Sequence, residues 1–302
     1  MAKHSLPRTL PVAASGWRGG AGSREIGRRV ADRIRDWRVV VERAFETESS
    51  FIAFGRRDRQ PVVLKVIRNP GDEWRSGEIL EAFEGRGVVR VLEHVDGALL
   101  LERLSPGDSL VGMALEGRDD RATEVLVEVI GQMSPRPGVR GVSTVQEWAK
   151  GFERYAASGD GQIPKSLLEK GQCVFLELCG SQSRPRLLHG DLYHYNALFD
   201  SRRGWLAIDP KGVVGELEYE VGAVLRNPYE RPELFAAPST IEKRVERFAL
   251  ELNLDVGRIL AWGFAQAVLA AIWSVEDGFA VEPGSPWMAL ADAIEPMLGA
   301  RG

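Results

Sequence analysis

The sequence has only two cysteines, four histidines, no long uncharged apolar run and no excess of basic residues, and each shortage excludes something. Cys173 and Cys179 stand six positions apart in a stretch that reads as one helix, a spacing that does not share a face. No disulfide is expected between them, and no Cys/His spacing suits a metal. Both read as small core hydrophobes in a reducing compartment, so a cytoplasmic location is expected. The opening "MAKHSLPRTLPVAASGWRGG" lacks the apolar stretch of a signal peptide. The most apolar segment, "ILAWGFAQAVLAAIWSV" (259–275), reads as a buried helix and not as a membrane span. A net charge of −4 argues against a general nucleic-acid binder.

What is present suits an ordinary globular protein with a sizeable core: 302 residues, 44% of them apolar, enough for one large domain or two lobes. Residues 1–22 are rich in Gly, Pro, Ser and Arg and read as a loose arm. Apolar residues at 26, 30 and 34 then predict a helix over 23–36. The period changes after it. Short β-branched or aromatic runs at 37–46, 49–56 and 61–68 predict an antiparallel meander. A helical pattern over 72–85 follows, and "VVRVLEHV" and "GALLLERL" add two strands, giving a five-stranded sheet. From residue 107 the pattern is mostly helical: 107–116, 119–133, 144–157 and 164–180, then 216–225, 239–252, 256–276 and 285–298. The chain therefore divides near residue 104 into a β-rich lobe (23–104) and an α-rich lobe (105–302). A ligand is expected in the cleft between them.

Chemistry concentrates in "LLHGDLYHYNALFD" (187–200) and "LAIDPKG" (206–212). Asp191 can orient or deprotonate a hydroxyl, and Asn196, five residues on, can offer an amide oxygen. Asp209 ends an apolar run with a hard anionic oxygen of the kind Mg²⁺ prefers. Lys65 interrupts the apolar strand "VVLKVI", where it needs an anionic partner. Glu78 on the next helix is the first candidate and Glu73 the alternative. A strand lysine with a helix carboxylate, a loop Asp, an Asn and a second Asp together form the set used for phosphoryl transfer.

With "HGDLYHYN" and "AIDPKG", the sequence resembles the aminoglycoside phosphotransferase superfamily, whose fold is protein-kinase-like. The stretches "GRGVVRVLEHVDGALLLERLSPGDSL", "AIDPKGVVGELEYEVGAVLRNP" and "AAIWSVEDG" look like its streptomycin 6-phosphotransferase branch, also described as aminoglycoside/hydroxyurea resistance kinases. The similarity runs from about residue 37 to 298. It implies an α+β, two-lobed, monomeric kinase that uses ATP and Mg²⁺ and transfers the γ-phosphate to a hydroxyl of a small molecule, with no nucleic-acid or membrane partner.

Carried over position by position, the resemblance implies that Asp191 is the catalytic base and that Asn196 and Asp209 are Mg²⁺ ligands. Lys65, paired with Glu78, would bind the nucleotide phosphates, and Ser49 and Ser50 in the turn "ETESS" would offer them donors. Glu102 and Leu104 in the "LERL" hinge would hydrogen-bond adenine through their backbones, while His189 would be structural. Tyr193 departs from the pattern, standing where the branch is expected to have His.

A polycationic acceptor calls for carboxylates, and Glu216, Glu218, Glu220, Glu276 and Asp277 are candidates for them, with Trp273 as a pocket wall. Each has an equally plain structural reading, as solvated charge or core. The streptomycin-like acceptor has as rivals an unrelated small metabolite and a nucleotide-binding pseudokinase or regulator. A protein kinase is disfavoured, because "DFG" and "APE" segments are missing.

Overall fold

The computed structural model describes residues 9–10 and 21–299, and the rest of the expected N-terminal arm lies outside them. The first described element is a two-residue strand, β1 (Thr9–Leu10), paired antiparallel with β2 (Val39–Glu46). Between them runs α1 (Ala21–Asp36), whose Ile26, Val30 and Ile34 repeat every four residues and so share one face. Next come β3 (Ser50–Arg57) and β4 (Gln60–Ile67), a 3₁₀ turn (Asp72–Arg75), α2 (Ser76–Ala82), β5 (Val91–Val95) and β6 (Ala98–Glu102). The sheet has six strands in the order β1-β2-β3-β4-β6-β5, one more than the sequence predicts, because part of the arm joins its edge.

Alternation along β4 and β6 decides what faces the cleft. Val62, Leu64, Val66, Ala98 and Leu100 pack with Ile26 and Val30 of α1 in one small core. The intervening Leu99, Leu101 and Ile67 face the other way and join the large core that continues into the second lobe. Lys65 has the parity of this second face and pairs with Leu99 across the strands. The period of two thus points the one lysine of an apolar strand toward the site.

The second lobe begins with β7 (Pro106–Ser109) and α3 (Val111–Leu115). A single helix over 107–116 was expected. The Pro-Gly start instead runs extended and pairs with β9 (Ala197–Asp200), a partner some ninety residues away that no local pattern announces. Helix α4 (Asp119–Gln132) buries Ala122, Val125, Leu126, Val129 and Ile130 along one stripe. The expected 144–157 helix is split at Ala149 into α5 (Val145–Trp148), which carries a Thr144/Glu147 capping box, and α6 (Lys150–Ser158). After α7 (Lys165–Gly180) come β8 (Arg186–Leu188), β9, β10 (Gly204–Ala207) and β11 (Val213–Gly215). These short strands form two small sheets, β10-β9-β7 and β11-β8, which bracket the polar motifs.

Helices α8 (Leu217–Leu225), α9 (Pro232–Phe235), α10 (Pro238–Leu252), α11 (Val256–Glu276) and α12 (Pro286–Gly299) complete the lobe. Helix α11 is apolar around nearly its whole circumference because α7, α8, α10 and α12 all pack on it. Among the described residues it alone has the length and apolarity to cross a membrane, yet 78% of its apolar window is buried inside the protein. Both cysteines are free, as expected. Cys173, however, is exposed and Cys179 half-buried, so only Cys179 approaches the core reading; α7 turns the Cys173 face to solvent.

Candidate active site

The motif loop leaves β8 at Leu188 and is pinned through its main-chain groups. His189 is fully buried; its Nε2 donates to the carbonyl of Ile208 (2.8 Å), and its Nδ1 accepts the amide of Asp191 (3.3 Å). Burial pushes its pKa down to about 4, so the ring is neutral, which leaves Nδ1 free to accept. The amides of Lys211 and Gly212 donate back to the His189 carbonyl (3.1 and 2.9 Å). Together these bonds join the "HGD" and "IDPKG" segments into one unit, and His189 is structural in it.

Asp191 faces two cations: its Oδ1 is 3.2 Å from Arg226 Nη2, and its Oδ2 is 3.5 Å from Lys211 Nζ. Burial pushes its carboxyl up, but Lys211 and then Arg226 outweigh that and hold it below the usual carboxylate range. Arg226 is buried and also donates to Gln266 (2.8 Å). Asn196 donates its amide Nδ2 to the Asp191 carbonyl (2.8 Å), leaving its side-chain oxygen without a partner among the described residues. The Asn196 carbonyl accepts the amide of Ile208 (2.9 Å), so Asn196 also sets the strand end that presents Asp209. Asp209 has φ of 57°, in the left-handed region that Asp tolerates better than most side chains. Strand β7 supports the loop from outside, with Ser109 Oγ donating to the His194 carbonyl (3.0 Å).

Lys65 reaches into this arrangement from the other lobe. Its Nζ lies 2.7 Å from Glu73 and 2.9 Å from Asp209, with 5% of its side chain exposed. Burial pulls its pKa down, but the carboxylates of Asp209 and Glu73 win and hold it above the ordinary lysine value. Glu78, the partner first expected, pairs instead with Arg75 three residues before it (2.5 Å). The reason is local: the chain tightens to 3₁₀ over Asp72–Arg75, which places Glu73 opposite the strand and leaves Glu78 on the first turn of α2, within reach of Arg75. Neither Asp191–Lys211 nor Asp191–Arg226 was anticipated. The only sequence signal was a basic residue between Pro210 and Gly212 in an otherwise turn-like stretch.

In the "ETESS" turn, Ser49 is exposed, whereas Ser50 is buried with its amide on Thr47 Oγ1 (2.9 Å) and its hydroxyl 3.4 Å from that of Ser49. Ser49 is therefore the available donor, and Ser50 serves the turn. At the hinge, the Glu102 amide is taken by the Arg90 carbonyl (3.0 Å), and its carboxylate accepts the Arg90 amide and Arg203. The Leu104 amide has no partner among the described residues.

The expected acceptor carboxylates are largely turned inward. Glu216 is fully buried and bonded by Arg258 Nε (2.9 Å), Trp262 Nε1 (2.6 Å) and the Ser183 amide (3.0 Å). Glu220 is buried beneath the motif loop and accepts the Gly190 amide at 3.0 Å. Burial pushes its pKa up to about 7, against the backbone N–H groups of Gly190, His189 and Leu192 that favour its charge. Glu218 is also buried, because α8 is covered on all sides. Glu276 pairs with Arg154 (3.0 Å) at the surface, and Asp277 is exposed. Trp273 packs edge-on against Trp148 (5.9 Å) with Lys211 Nζ over its ring (5.7 Å). It packs against the large core and is not on the walls of the interlobe cavity.

A cavity of ≈ 260 Å³ opens between the lobes at the Lys211–Gly212 turn, lined by Trp74, Arg75 and Ile79 on one side and Val142, Trp148 and Lys211 on the other. Among the described residues, Asp72 is the only carboxylate on its walls.

A family model described as "Aminoglycoside/hydroxyurea antibiotic resistance kinase" matches residues 37–278. The chain is 32% identical to the streptomycin 3''-kinase of Klebsiella pneumoniae over 249 residues, covering 80% of this chain and 91% of that protein. It is also 32% identical to the hydroxyurea phosphotransferase of Kitasatospora aureofaciens over 304 residues, covering 94% and 83% respectively. Among solved structures it superposes on aminoglycoside phosphotransferase APH(4)-Ia with ADP and hygromycin B, with TM-score 0.62 and 14% identity over 90% of this chain and 99% of that one. That likeness establishes the two-lobed α+β, protein-kinase-like fold.

Proposed function

Since the chain belongs to the aminoglycoside/hydroxyurea antibiotic resistance kinase family, and is therefore a small-molecule phosphotransferase acting on hydroxyl groups, we propose that it transfers the γ-phosphate of Mg²⁺-ATP to streptomycin or a related aminocyclitol. The observation that carries the reading is the hydrogen-bond network joining Asp191, Asn196 and Asp209 in one unit, with Lys65 reaching it from the facing lobe. In this reading Lys65 binds the nucleotide phosphates and Glu73 restrains it. The free Leu104 amide meets the adenine edge, and Ser49 meets the phosphates.

Asn196 and Asp209 fit Mg²⁺ by donor chemistry: one free amide oxygen and one half-exposed carboxylate, both hard oxygens, leave room for phosphate oxygens and water. When bound, the ion would neutralise charge on the phosphates. Asp191 orients the acceptor hydroxyl. The hydroxyl oxygen forms a bond to the γ-phosphorus while the bond from that phosphorus to the bridging oxygen breaks, and ADP leaves with the electron pair. The hydroxyl proton passes to Asp191. With its pKa held low by two cations, Asp191 is a weak base, and it contributes mainly through alignment, as a loose phosphoryl transition state requires.

A second acceptor reading has its own support. Three of the five carboxylates expected to receive a polycation, Glu216, Glu218 and Glu220, are buried, and the cavity walls carry Arg75 and Lys211 beside Asp72. Such a site suits a small uncharged hydroxyl compound, and the hydroxyurea phosphotransferase is among the relatives. Mass spectrometry of streptomycin and hydroxyurea after incubation with enzyme and Mg²⁺-ATP tests both. A phosphoryl adduct on streptomycin alone supports the first reading and on hydroxyurea alone the second. ATP turnover with neither would require a different acceptor.

A further inference from the structure

We propose that Lys211 is a further catalytic residue, the acceptor-side cation that binds the non-bridging oxygens of the phosphoryl group in transfer. The inference rests on the kinase reading above and adds to it a residue with no assigned role. Asp191 meets two cations that differ in kind. Arg226 is buried and divides its guanidinium between Asp191 and Gln266, so it belongs to the scaffold behind the loop. Lys211 comes from the front: its side chain is 30% exposed, it lines the interlobe cavity, and its Nζ is 3.5 Å from Asp191 Oδ2.

A cation beside a carboxylate meant to receive a proton weakens it as a base. Its presence is accounted for if it acts on the group that gathers negative charge during transfer. Lys65 already occupies the nucleotide side, on Asp209 and Glu73. Lys211 instead sits beside Asp191 at the wall of the interlobe cavity, the side from which an acceptor would come.

Its placement is built in advance. The Lys211 and Gly212 amides are both bonded to the His189 carbonyl, which fixes the turn against the motif loop. Gly212 has φ of 76°, and a Cβ there would meet Ile79 Cδ1 of α2 at 2.7 Å, so the turn is pressed onto the facing lobe. Above it, the Trp273 ring, braced by Trp148, lies 5.7 Å from Nζ. Preorganisation of this kind lets a charge act without reorganising during the reaction. Lys211 neither gives nor takes a proton in the step: the acceptor oxygen–phosphorus bond forms, the phosphorus–ADP oxygen bond breaks, and the proton goes to Asp191.

The test uses calorimetric binding of Mg²⁺-ADP with and without fluoroaluminate, a mimic of the phosphoryl group in transfer, on the full chain and its Lys211→Met and Lys211→Arg variants. Mg²⁺-ADP affinity is expected to stay within about threefold throughout, while the added tightening from fluoroaluminate falls about 100-fold in Lys211→Met and recovers substantially in Lys211→Arg. A Lys211→Met variant that keeps the tightening, or that loses Mg²⁺-ADP affinity by the same factor, overturns the proposal, as does a wild-type protein that binds Mg²⁺-ADP without any tightening. A wild-type protein that does not bind Mg²⁺-ADP would overturn the kinase reading itself, and the assignment of Lys211 with it.

Discussion

Around Asp191 the positioning side chains grip main-chain groups: the His189 ring bonds the Ile208 carbonyl and the Asp191 amide, Glu220 accepts the Gly190 amide, and Asn196 donates to the Asp191 carbonyl. Around Lys65 the bonds run to other side chains, Glu73 and Asp209, which are 26% and 37% exposed. The motif loop is thus set by the fold before any ligand arrives. The nucleotide corner depends on three side chains contributed by two lobes. On the proposed function the two regions would do different work: the loop would govern the rate of transfer, and the lysine corner the hold on nucleotide.

The largest effect that would break this division is at Asp191. Replacing it with Asn is expected to lower acceptor-dependent turnover by about 10²–10⁴-fold, measured as ADP release, while the fold and nucleotide binding persist. Next is Glu216, whose buried carboxylate anchors Arg258, Trp262 and the Ser183 amide. Glu216→Ala strands a guanidinium and an indole N–H, and should cost about 3–5 kcal/mol of stability by denaturant unfolding. The KM for acceptor should stay unchanged in the folded fraction; a raised KM with full stability would return Glu216 to the acceptor site.

A smaller effect separates the two candidate partners of Lys65. Glu73→Gln should raise KM for ATP by about tenfold, whereas Glu78→Gln, which loosens only the Arg75 pair at the surface, should change it by less than about twofold. The smallest effect is a pH dependence. Burial pushes the Glu220 carboxyl up to about 7, above the ordinary glutamate range it has in the unfolded chain. Between those values the folded state holds the extra proton, so stability falls as pH rises through this window and levels off above it. In Glu220→Gln the thermal midpoint should lose this slope, separating from the wild-type curve by about 2–4 °C across it.

Legibility in the sequence follows the same contrast. The motif loop could be read because its parts are contiguous: His189, Asp191 and Asn196 span eight residues, and Asp209 ends the next apolar run. Lys65 was legible as the one charge in an apolar strand, and parity set its direction. Its partner was not, because Glu73 and Glu78 differ only by a 3₁₀ turn that helical periodicity does not register. The burial of Glu216 and Glu220 was equally hidden. Their partners lie 42, 46 and 30 residues away, and nothing local in "GELEYEVG" distinguishes a carboxylate under a loop from one in solvent. Strand β7 was misread as helix for the same reason, since its partner arrives only with β9.

The division of labour is tested most directly by calorimetric titration of Mg²⁺-ATP into Asp191→Asn and Lys65→Met, a measurement that needs no knowledge of the acceptor. The account predicts that Asp191→Asn binds within about threefold of wild type, while Lys65→Met binds at least about tenfold more weakly. Equal weakening in both variants, or retained affinity in Lys65→Met with loss in Asp191→Asn, would contradict it.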